Sequence, residues 1–389
     1  MKNPFKFGRE LPPGDLVDRR TEVDEVHRVI RDGGKLFLIG PRRYGKSSIL
    51  ASADAEATRD GAVVLRFNAE AYPTVDLFAQ ALAGRAAQQL TGTVERAGEA
   101  IRRFFARLSP TATYNPFEQS WSVSLTASGG ADASRTELLV DVLNGVHALA
   151  RADGRRVGVI IDEFQQVVNE EGIVAERQIR AAVQQHEHVG YVFAGSATRL
   201  LTDMTEDPGR PFYRLGARRF IGPVPRADFV SFLRQGFASS GFTVASEAID
   251  TILDLAEDVP HNVQRLAHDC WNVMLATEGG TLTPELVRAT LEALVRGDDP
   301  FYTQIWNRIT SMQQKALVAV VLEGGTELHS QSVLRRYGLA HSTMQKSLQR
   351  LQSSNIIRQE EALGSIRLRL EDPFFAAWIK LVVTPGFPS

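Results

Sequence analysis

Residues 40–47 read Gly-Pro-Arg-Arg-Tyr-Gly-Lys-Ser and match the pattern G-x-x-x-x-G-K-[ST]. This segment directly follows an apolar run at residues 36–39, and the residues after it can open a helix. Glycines let such a loop take backbone angles that side chains forbid, and they bring N–H groups close to phosphate oxygens. The order of strand, loop and helix therefore predicts that the chain binds a nucleoside triphosphate.

Two residues of this loop have expected chemical roles. Lys46 supplies a point charge for the phosphates, and Ser47 offers a hydroxyl to Mg²⁺. The N-terminal dipole of the following helix also favours an anion. The nucleotide-binding residues expected from the loop are Gly40, Pro41, Arg42, Arg43, Tyr44, Gly45, Lys46, Ser47 and Ser48.

A second motif has the form of a Walker B segment. The apolar run at residues 157–161 is typical of a strand buried on both faces of a parallel sheet, and it ends in Asp162-Glu163. At the carboxyl edge of such a sheet, Asp162 is expected to hold the water shell of Mg²⁺ and Glu163 to act as the general base that polarises an attacking water. An acidic pair after an apolar strand is often structural, but its combination with residues 40–47 predicts a hydrolytic centre.

Polar residues also follow the apolar run at residues 190–194. Ser196 is the first candidate for contacting the γ-phosphate or its attacking water, and Thr198 is the second. The alternative is that both side chains cap a helix that begins near Leu200.

Four arginines lie close together in a segment that also contains several glycines and prolines. They are Arg210, Arg214, Arg218 and Arg219. One of them, with Arg214 taken as the catalytic candidate, could reach a neighbouring subunit's nucleotide as an arginine finger. The alternative is an ordinary basic surface loop.

Composition bounds the remaining possibilities. The 389 residues fit two or three domains, and 43% hydrophobic with 23% charged residues is typical of a soluble protein. A net charge of −2 gives no global attraction to nucleic acid, so any such contact must come from a local patch. The single Cys270 excludes an intramolecular disulfide, and no stretch approaches the roughly 20 apolar residues of a spanning helix. We therefore expect a cytoplasmic protein without membrane insertion.

The order of elements around the two motifs is β-α-β-α, which predicts an α/β P-loop NTPase core, a parallel sheet sandwiched by helices. Within it the pattern switches to period two near residues 111–128, where Trp121, Val123 and Leu125 alternate with small polar residues. This alternation predicts a β-hairpin insertion.

Residues 312–383 have the order of a winged helix. Helical periods at 315–322, 330–337 and 342–353 precede two short alternating segments at 356–358 and 366–370. Residues 307–370 hold nine Lys and Arg against four acids, a net charge of +5. A basic helix-turn-helix surface predicts contact with duplex DNA, and the alternative is a module that packs on the ATPase domain or on a protein partner.

Further short segments accompany these motifs. They are Asn3-Pro4-Phe5, Phe7-Gly8, Val17-Asp18-Arg19, Phe164-Gln165, Gly195-Ser196, Pro211-Phe212-Tyr213, Phe220-Ile221-Gly222-Pro223, and the runs at 259–266 and 371–379. Together with the Walker motifs they resemble the P-loop ATPases of the AAA+/STAND class, and within it the prokaryotic and archaeal family related to origin-recognition initiators. The resemblance spans almost the whole chain.

The resemblance implies an ATP-driven conformational switch. It implies an ATPase core at 1–222, an α-helical lid at 223–300 that reports nucleotide state, and a C-terminal winged-helix domain at 301–389. It also implies that Val17 and Arg19 lie near the adenine and that Pro260, His261 and Arg265 occupy the sensor 2 position of the lid. Many relatives have Gly-x-Pro before that lid helix, whereas this chain has Asp258-Val259-Pro260.

Two functional hypotheses follow. In the first, the chain is an ATP hydrolase that converts ATP and water to ADP and phosphate with Mg²⁺, coupled to double-stranded DNA through the winged helix. In the second, it is a STAND-type signalling or assembly switch with slow hydrolysis, whose winged helix contacts protein. The expected partners are ATP, duplex DNA and further copies of the chain in a homo-oligomer, with no membrane.

Overall fold

A computed structural model of the chain describes residues 1–12, 15–91, 99–100, 103, 111–115, 120–124, 135–169, 172–196, 199–277, 280–362 and 365–386. The chain forms two compact units. We call Glu10–Gly222 the core unit, and Met1–Arg9 together with Pro223–Ser389 the C-terminal unit. The predicted three-domain division stays a prediction; its first domain includes the lead-in residues before Glu10, which group with the C-terminal unit.

The core unit is built around a parallel sheet. Its strands are β1 (Lys35–Gly40), β2 (Val63–Asn68), β5 (Val157–Asp162), β6 (Val189–Ser196) and β7 (Ala217–Phe220). They form five strands in the order β2-β5-β6-β1-β7, and every pairing is parallel. All residues of β5 and β6 are buried, as expected for continuous apolar strands covered on both faces. The predicted α/β core is confirmed.

Seven α-helices are described in the core unit. They are α1 (Arg20–Asp32), α2 (Lys46–Arg59), α3 (Val75–Thr91), α4 (Arg135–Asp153), α5 (Gln165–Val168), α6 (Ile173–Val183) and α7 (Arg199–Glu206). The apolar faces of α3, α4 and α6 pack with the strands in one hydrophobic core. The helix predicted over residues 74–108 corresponds to α3, and most of its later part lies outside the described residues.

The sheet aligns the site residues through its register. Gly40 at the end of β1 is opposite Ser196 at the end of β6, and Asp162 at the end of β5 is opposite Asn68 at the end of β2. Because parallel strands present their carboxyl ends at one edge, the loops that follow β1, β5 and β6 meet there.

Two short strands lie at the position of the predicted insertion. Strands β3 (Thr111–Asn115) and β4 (Ser120–Ser124) pair antiparallel, with Thr111 opposite Ser124. The last residues of the predicted range, 125–128, lie outside the described residues.

The C-terminal unit begins with a helical region. Its elements are α8 (Arg226–Ala238), β8 (Thr243–Val244), α9 (Ser246–Leu255), α10 (Pro260–Ala276), β9 (Thr281–Leu282), α11 (Pro284–Gly297) and α12 (Asp299–Arg308). Proline at the first position of α10 and α11 suits a helix start, where its missing N–H has no partner to lose. Among the helices of the described residues, none has both the length and the apolar character needed to cross a bilayer.

The last part of the chain is a winged helix, as predicted. Its elements are α13 (Ser311–Leu322), α14 (Gln331–Tyr337), α15 (His341–Ser353), β10 (Ile357–Ala362), β11 (Ser365–Leu370) and α16 (Pro373–Trp378). Thr310 and Gln313 form a capping box at the start of α13. Gly338, with a φ of 60°, makes the left-handed turn between α14 and α15.

Candidate functional site

The phosphate loop connects β1 to α2 at the carboxyl edge of the core sheet. Gly45 has a φ of 87° and precedes the first residue of α2, while Arg43 has a φ of 68°. Tyr44 is buried, whereas Arg42 and Arg43 are exposed and Pro41 is half-buried. The left-handed angle at Gly45 explains why a glycine is needed immediately before Lys46.

Lys46 points back into its own loop. Its side chain is buried, and Nζ donates hydrogen bonds to the carbonyl oxygens of Gly40 at 2.8 Å and Pro41 at 2.9 Å. A buried ammonium group needs partners of this kind, because burial without them is costly. The charge of Lys46 is therefore held against the loop on which phosphates are expected to sit.

Ser47 and Asp162 meet across the sheet edge. Ser47 Oγ donates a hydrogen bond of 2.8 Å to Asp162 Oδ2, and the backbone N–H of Glu163 donates to Asp162 Oδ1 at 3.0 Å. Asp162 is buried. A hydroxyl and a carboxylate oxygen in contact form a donor set that fits Mg²⁺, which prefers oxygen ligands and few protein groups.

Glu163 and Ser196 also lie together. Glu163 has a φ of 51°, an uncommon angle for a residue with a side chain. Ser196 Oγ lies 3.3 Å from each carboxylate oxygen of Glu163, and Gln165 Nε2 donates a hydrogen bond to Glu163 Oε2. The first candidate for the γ-phosphate sensor therefore contacts the expected general base, while Thr198 lies outside the described residues.

Other predicted binding residues have partners within the core unit. Ser48 is buried, and its Oγ accepts a hydrogen bond from the N–H of Leu11 at 3.0 Å. Arg19 is buried too, and its guanidinium donates to the carbonyl of Gly222 at 2.6 Å and to Glu22 Oε1 at 3.3 Å. Val17 is half-buried. These contacts hold Ser48 and Arg19 in place, and their role toward a nucleotide stays a prediction.

The four loop arginines differ in their partners. Arg210 pairs with the fully buried carboxylate of Glu176, Arg218 with Glu206 and Arg219 with Glu25. Arg214 is exposed, has a φ of 58° and lies over the ring of Tyr213 at 5.1 Å. Within the described part of the chain, Arg214 is the only one of the four without an ion pair, and its role as a finger stays a prediction.

The predicted sensor residues of the lid belong to the C-terminal unit. Pro260 is the first residue of α10, and the ring of His261 lies 6.0 Å from that of Phe7. Arg265 donates a hydrogen bond of 2.6 Å to Asp298, between α11 and α12. Asp298 was missed by sequence reasoning, because neither spacing nor periodicity joins it to Arg265.

The departure from Gly-x-Pro before α10 has a structural account. Asp258 has a φ of 54°, so the aspartate takes the left-handed angle that a glycine would favour. Aspartate is one of the residues that tolerate this region. Burial raises the pKa of the Asp258 carboxyl, and Arg226, 3.3 Å away, partly opposes that effect. The turn can therefore form without glycine.

Fewer basic side chains of the winged helix are free to bind a partner than the number of its lysines and arginines suggests. Arg335, Lys346 and Arg350 on α14 and α15 are exposed. The wing arginines instead have internal partners. Arg358 donates to the carbonyl of Leu370, Arg367 donates to that of Gly324, and Arg369 pairs with Glu257 and Glu360. The free cations of the described winged helix thus lie mainly on the helix-turn-helix.

The parallel sheet and the phosphate loop together give the core unit the α/β fold of a P-loop NTPase, and the chain carries a C-terminal winged helix. A family model described as a probable winged helix domain matches residues 300–381. No curated protein sequence matches the chain.

Two archaeal structures are similar over nearly the whole chain. A Walker-type ATPase of Pyrococcus abyssi superposes with a TM-score of 0.61 at 18% identity, covering 97% of this chain and 100% of its own. The ORC2 protein of Aeropyrum pernix has a TM-score of 0.57 at 14% identity, covering 100% of this chain and 99% of its own. The resemblance inferred from the sequence is thereby confirmed as a likeness of fold.

Proposed function

We propose that the chain is a Mg²⁺-dependent ATP hydrolase that acts as a nucleotide-driven conformational switch, coupled to duplex DNA through its winged helix. The observation that carries the proposal is the hydrogen bond between Ser47 and Asp162, whose positions are 115 residues apart in the sequence. It brings a hydroxyl and a carboxylate together next to Lys46 and Glu163, the two residues that complete a phosphate-hydrolysing set.

Adenine nucleotide is the ligand that the comparisons favour. The Aeropyrum pernix ORC2 structure, which shares this fold, is of complexes with ADPNP and ADP. In our proposal Lys46 and the loop N–H groups bind the phosphates, while Val17 and Arg19 contribute on the adenine side. Ser47 and Asp162 would hold Mg²⁺, which neutralises charge on the phosphate oxygens.

Glu163 is the proposed general base. One proton of the attacking water passes to its carboxylate while the water oxygen forms a bond to the γ-phosphorus. The bond from that phosphorus to the bridging oxygen breaks, and its electron pair leaves with ADP. Ser196, whose Oγ lies 3.3 Å from both carboxylate oxygens, is the proposed contact to the γ-phosphate or to the attacking water. Arg214 is the proposed finger toward the nucleotide of a neighbouring copy, which makes a homo-oligomer the active form.

Duplex DNA is the partner that the helix-turn-helix surface favours. Residues 328–359 contain no Asp or Glu, and Arg335, Lys346 and Arg350 are exposed there. Exposed Gln345 and Gln349 lie on the same helix as Lys346 and can donate to phosphates or base edges. A cationic segment that has amide side chains and no acidic residue of its own suits a polyanion better than a typical protein partner.

The internal pairing of the wing arginines favours the second candidate, a switch whose winged helix contacts protein. One assay separates the two: steady-state ATP hydrolysis by the wild type and by Glu163→Gln, with and without duplex DNA, at two salt concentrations. Turnover that is lost in Glu163→Gln and is stimulated by DNA, more strongly at low salt, supports the DNA-coupled hydrolase. Turnover independent of DNA favours a protein partner, and no turnover in either protein refutes the hydrolase.

A further inference from the structure

A buried amide lies directly beside the proposed general base. Gln165 is the first residue of α5, and only 6% of it is exposed. Its Nε2 donates a hydrogen bond to Glu163 Oε2. The side chain of the next residue, Gln166, is exposed, so a glutamine on this short helix can also lie in solvent. The burial of Gln165 is therefore specific to its position.

The orientation of the Gln165 amide follows from its surroundings. Among the residues that the structure describes, none gives its buried Oε1 a hydrogen bond, and this atom lies against Gly195, where an added Cβ would be only 2.2 Å away. Turning the amide around would place its oxygen against the carboxylate of Glu163, acceptor against acceptor. The N–H group must therefore face Glu163, and Gly195 leaves the space for the oxygen on the other side.

In this orientation the Oε1 atom of Gln165 has no hydrogen bond from the described residues. A buried oxygen without a partner costs on the order of 1–3 kcal/mol. A hydrophobic side chain of similar size would fill the same space without that penalty. The unsatisfied oxygen therefore points to a use for the N–H group of Gln165 that a space-filling residue lacks.

The two oxygens of the Glu163 carboxylate are held differently. Ser196 Oγ is 3.3 Å from both, longer than an ordinary O–H···O hydrogen bond. Gln165 contacts Oε2 alone. Oε2 is thus the anchored oxygen, and Oε1 is the freer acceptor.

We propose that Gln165 is a positioning residue that anchors Oε2 of Glu163, so that Oε1 receives the proton of the attacking water. The proposal rests on the hydrolase function proposed above. The one hydrogen bond that the proposal assigns to Gln165 is to Glu163. Gln165 acts through Glu163, and this indirect action is what the test must detect.

The test compares Gln165→Met with Gln166→Met. Methionine has nearly the length of glutamine but no N–H, and the substitution at the exposed position 166 is the matched control. In Gln165→Met we expect kcat to fall about 10- to 100-fold, the loss that follows from misplacing a catalytic group by about 1 Å. The KM for ATP and the affinity for a non-hydrolysable ATP analogue stay within about twofold of wild type, and Gln166→Met retains wild-type kcat.

A double mutant distinguishes positioning from a general structural role. Under single-turnover conditions, adding Gln165→Met to Glu163→Gln leaves the residual rate unchanged if Gln165 acts through Glu163. Losses that multiply, or a kcat of Gln165→Met equal to wild type, overturn the inference and leave the hydrolase proposal standing. A wild-type protein without turnover overturns both. Gln165→Leu, with the Tm of each variant recorded, provides the same comparison should the methionine variant not fold.

Discussion

The carboxylate of Glu257 lies 2.6 Å from the guanidinium of Arg369. Glu257 precedes the lid helix α10, and Arg369 lies on strand β11 of the wing. The ion pair therefore joins the turn before the proposed sensor helix to the winged helix within the C-terminal unit. Asn262 on α10 makes a second link, because its Nδ2 donates a hydrogen bond of 2.9 Å to Asp372 before α16.

We expect the Glu257–Arg369 pair to couple nucleotide state to DNA affinity. Arg369→Gln should bring the ratio of the DNA Kd values measured with ATP and with ADP close to one, because the wing loses its charged link to the turn before α10. Unfolding stability should fall by no more than about 1 kcal/mol, since both side chains are partly exposed. The Kd is measured by fluorescence anisotropy with labelled duplex.

The reversed pair provides the control for that prediction. Glu257→Arg combined with Arg369→Glu should restore the nucleotide-dependent ratio that each single change removes. A ratio that stays at its wild-type value in Arg369→Gln would show that other residues couple nucleotide state to DNA affinity. Since Arg369 also pairs with Glu360 at 2.7 Å, Glu360→Gln is measured in parallel.

Lys46 should carry much of the ATP affinity. In Lys46→Met the side chain keeps its shape but loses the ammonium group, so the affinity for ATP should fall about 10- to 100-fold, matching the roughly 1.5–3 kcal/mol of one charged hydrogen bond. Isothermal titration calorimetry with Mg²⁺ and ATP measures this change. Arg42→Met, at an exposed position of the same loop, is the comparison. Equal losses of ATP affinity in both variants would show that Lys46 contributes no more than Arg42.

Asp162 should be responsible for the metal dependence of nucleotide binding. In the wild type, chelation of Mg²⁺ is expected to lower the ATP affinity, because Ser47 and Asp162 would hold the ion that bridges to the phosphates. Asp162→Asn should bind ATP with nearly the same affinity with and without Mg²⁺. The increase in Tm caused by ATP, measured with and without Mg²⁺ at the same ATP concentrations, tests this. If Mg²⁺ increases the ATP affinity of Asp162→Asn as much as that of the wild type, the ion is bound by other residues.

The sequence predicted the phosphate loop, the pair Asp162-Glu163 and Ser196, because each follows a strand whose apolar run is visible locally. Parallel pairing then brings those strand ends together without further information. It did not predict the proposed role of Gln165, which depends on the φ of 51° at Glu163 and on the space at Gly195 in strand β6. The charge count of the winged helix likewise could not show which of its cations are paired. The partners of Arg367 and Arg369 lie 43 and 112 residues away, at Gly324 and Glu257, so pairing depends on tertiary structure.

Arg214 should act between copies of the chain. If it reaches a neighbour's nucleotide, the specific ATPase activity of the wild type rises with protein concentration, and Arg214→Ala loses this rise with a drop in kcat on the order of 10³-fold. Affinity for ATP should stay unchanged. Arg218→Ala, which removes a surface ion pair with Glu206, is the control. Activity independent of protein concentration in the wild type would argue against a finger.

Lys346 and Arg350 should contribute directly to DNA affinity. Both are exposed on α15, the second helix of the helix-turn-helix. Each substitution to alanine should weaken duplex binding and reduce the slope of log K against log salt by about 0.9, the value for one phosphate contact. Arg288→Ala on the lid helix α11 is the matched control, because Arg288 is equally a surface arginine, and its slope should equal that of wild type. If both α15 variants keep the wild-type slope and affinity while turnover persists, the segment at residues 328–359 serves a protein partner, and the nucleotide switch is read by a second polypeptide.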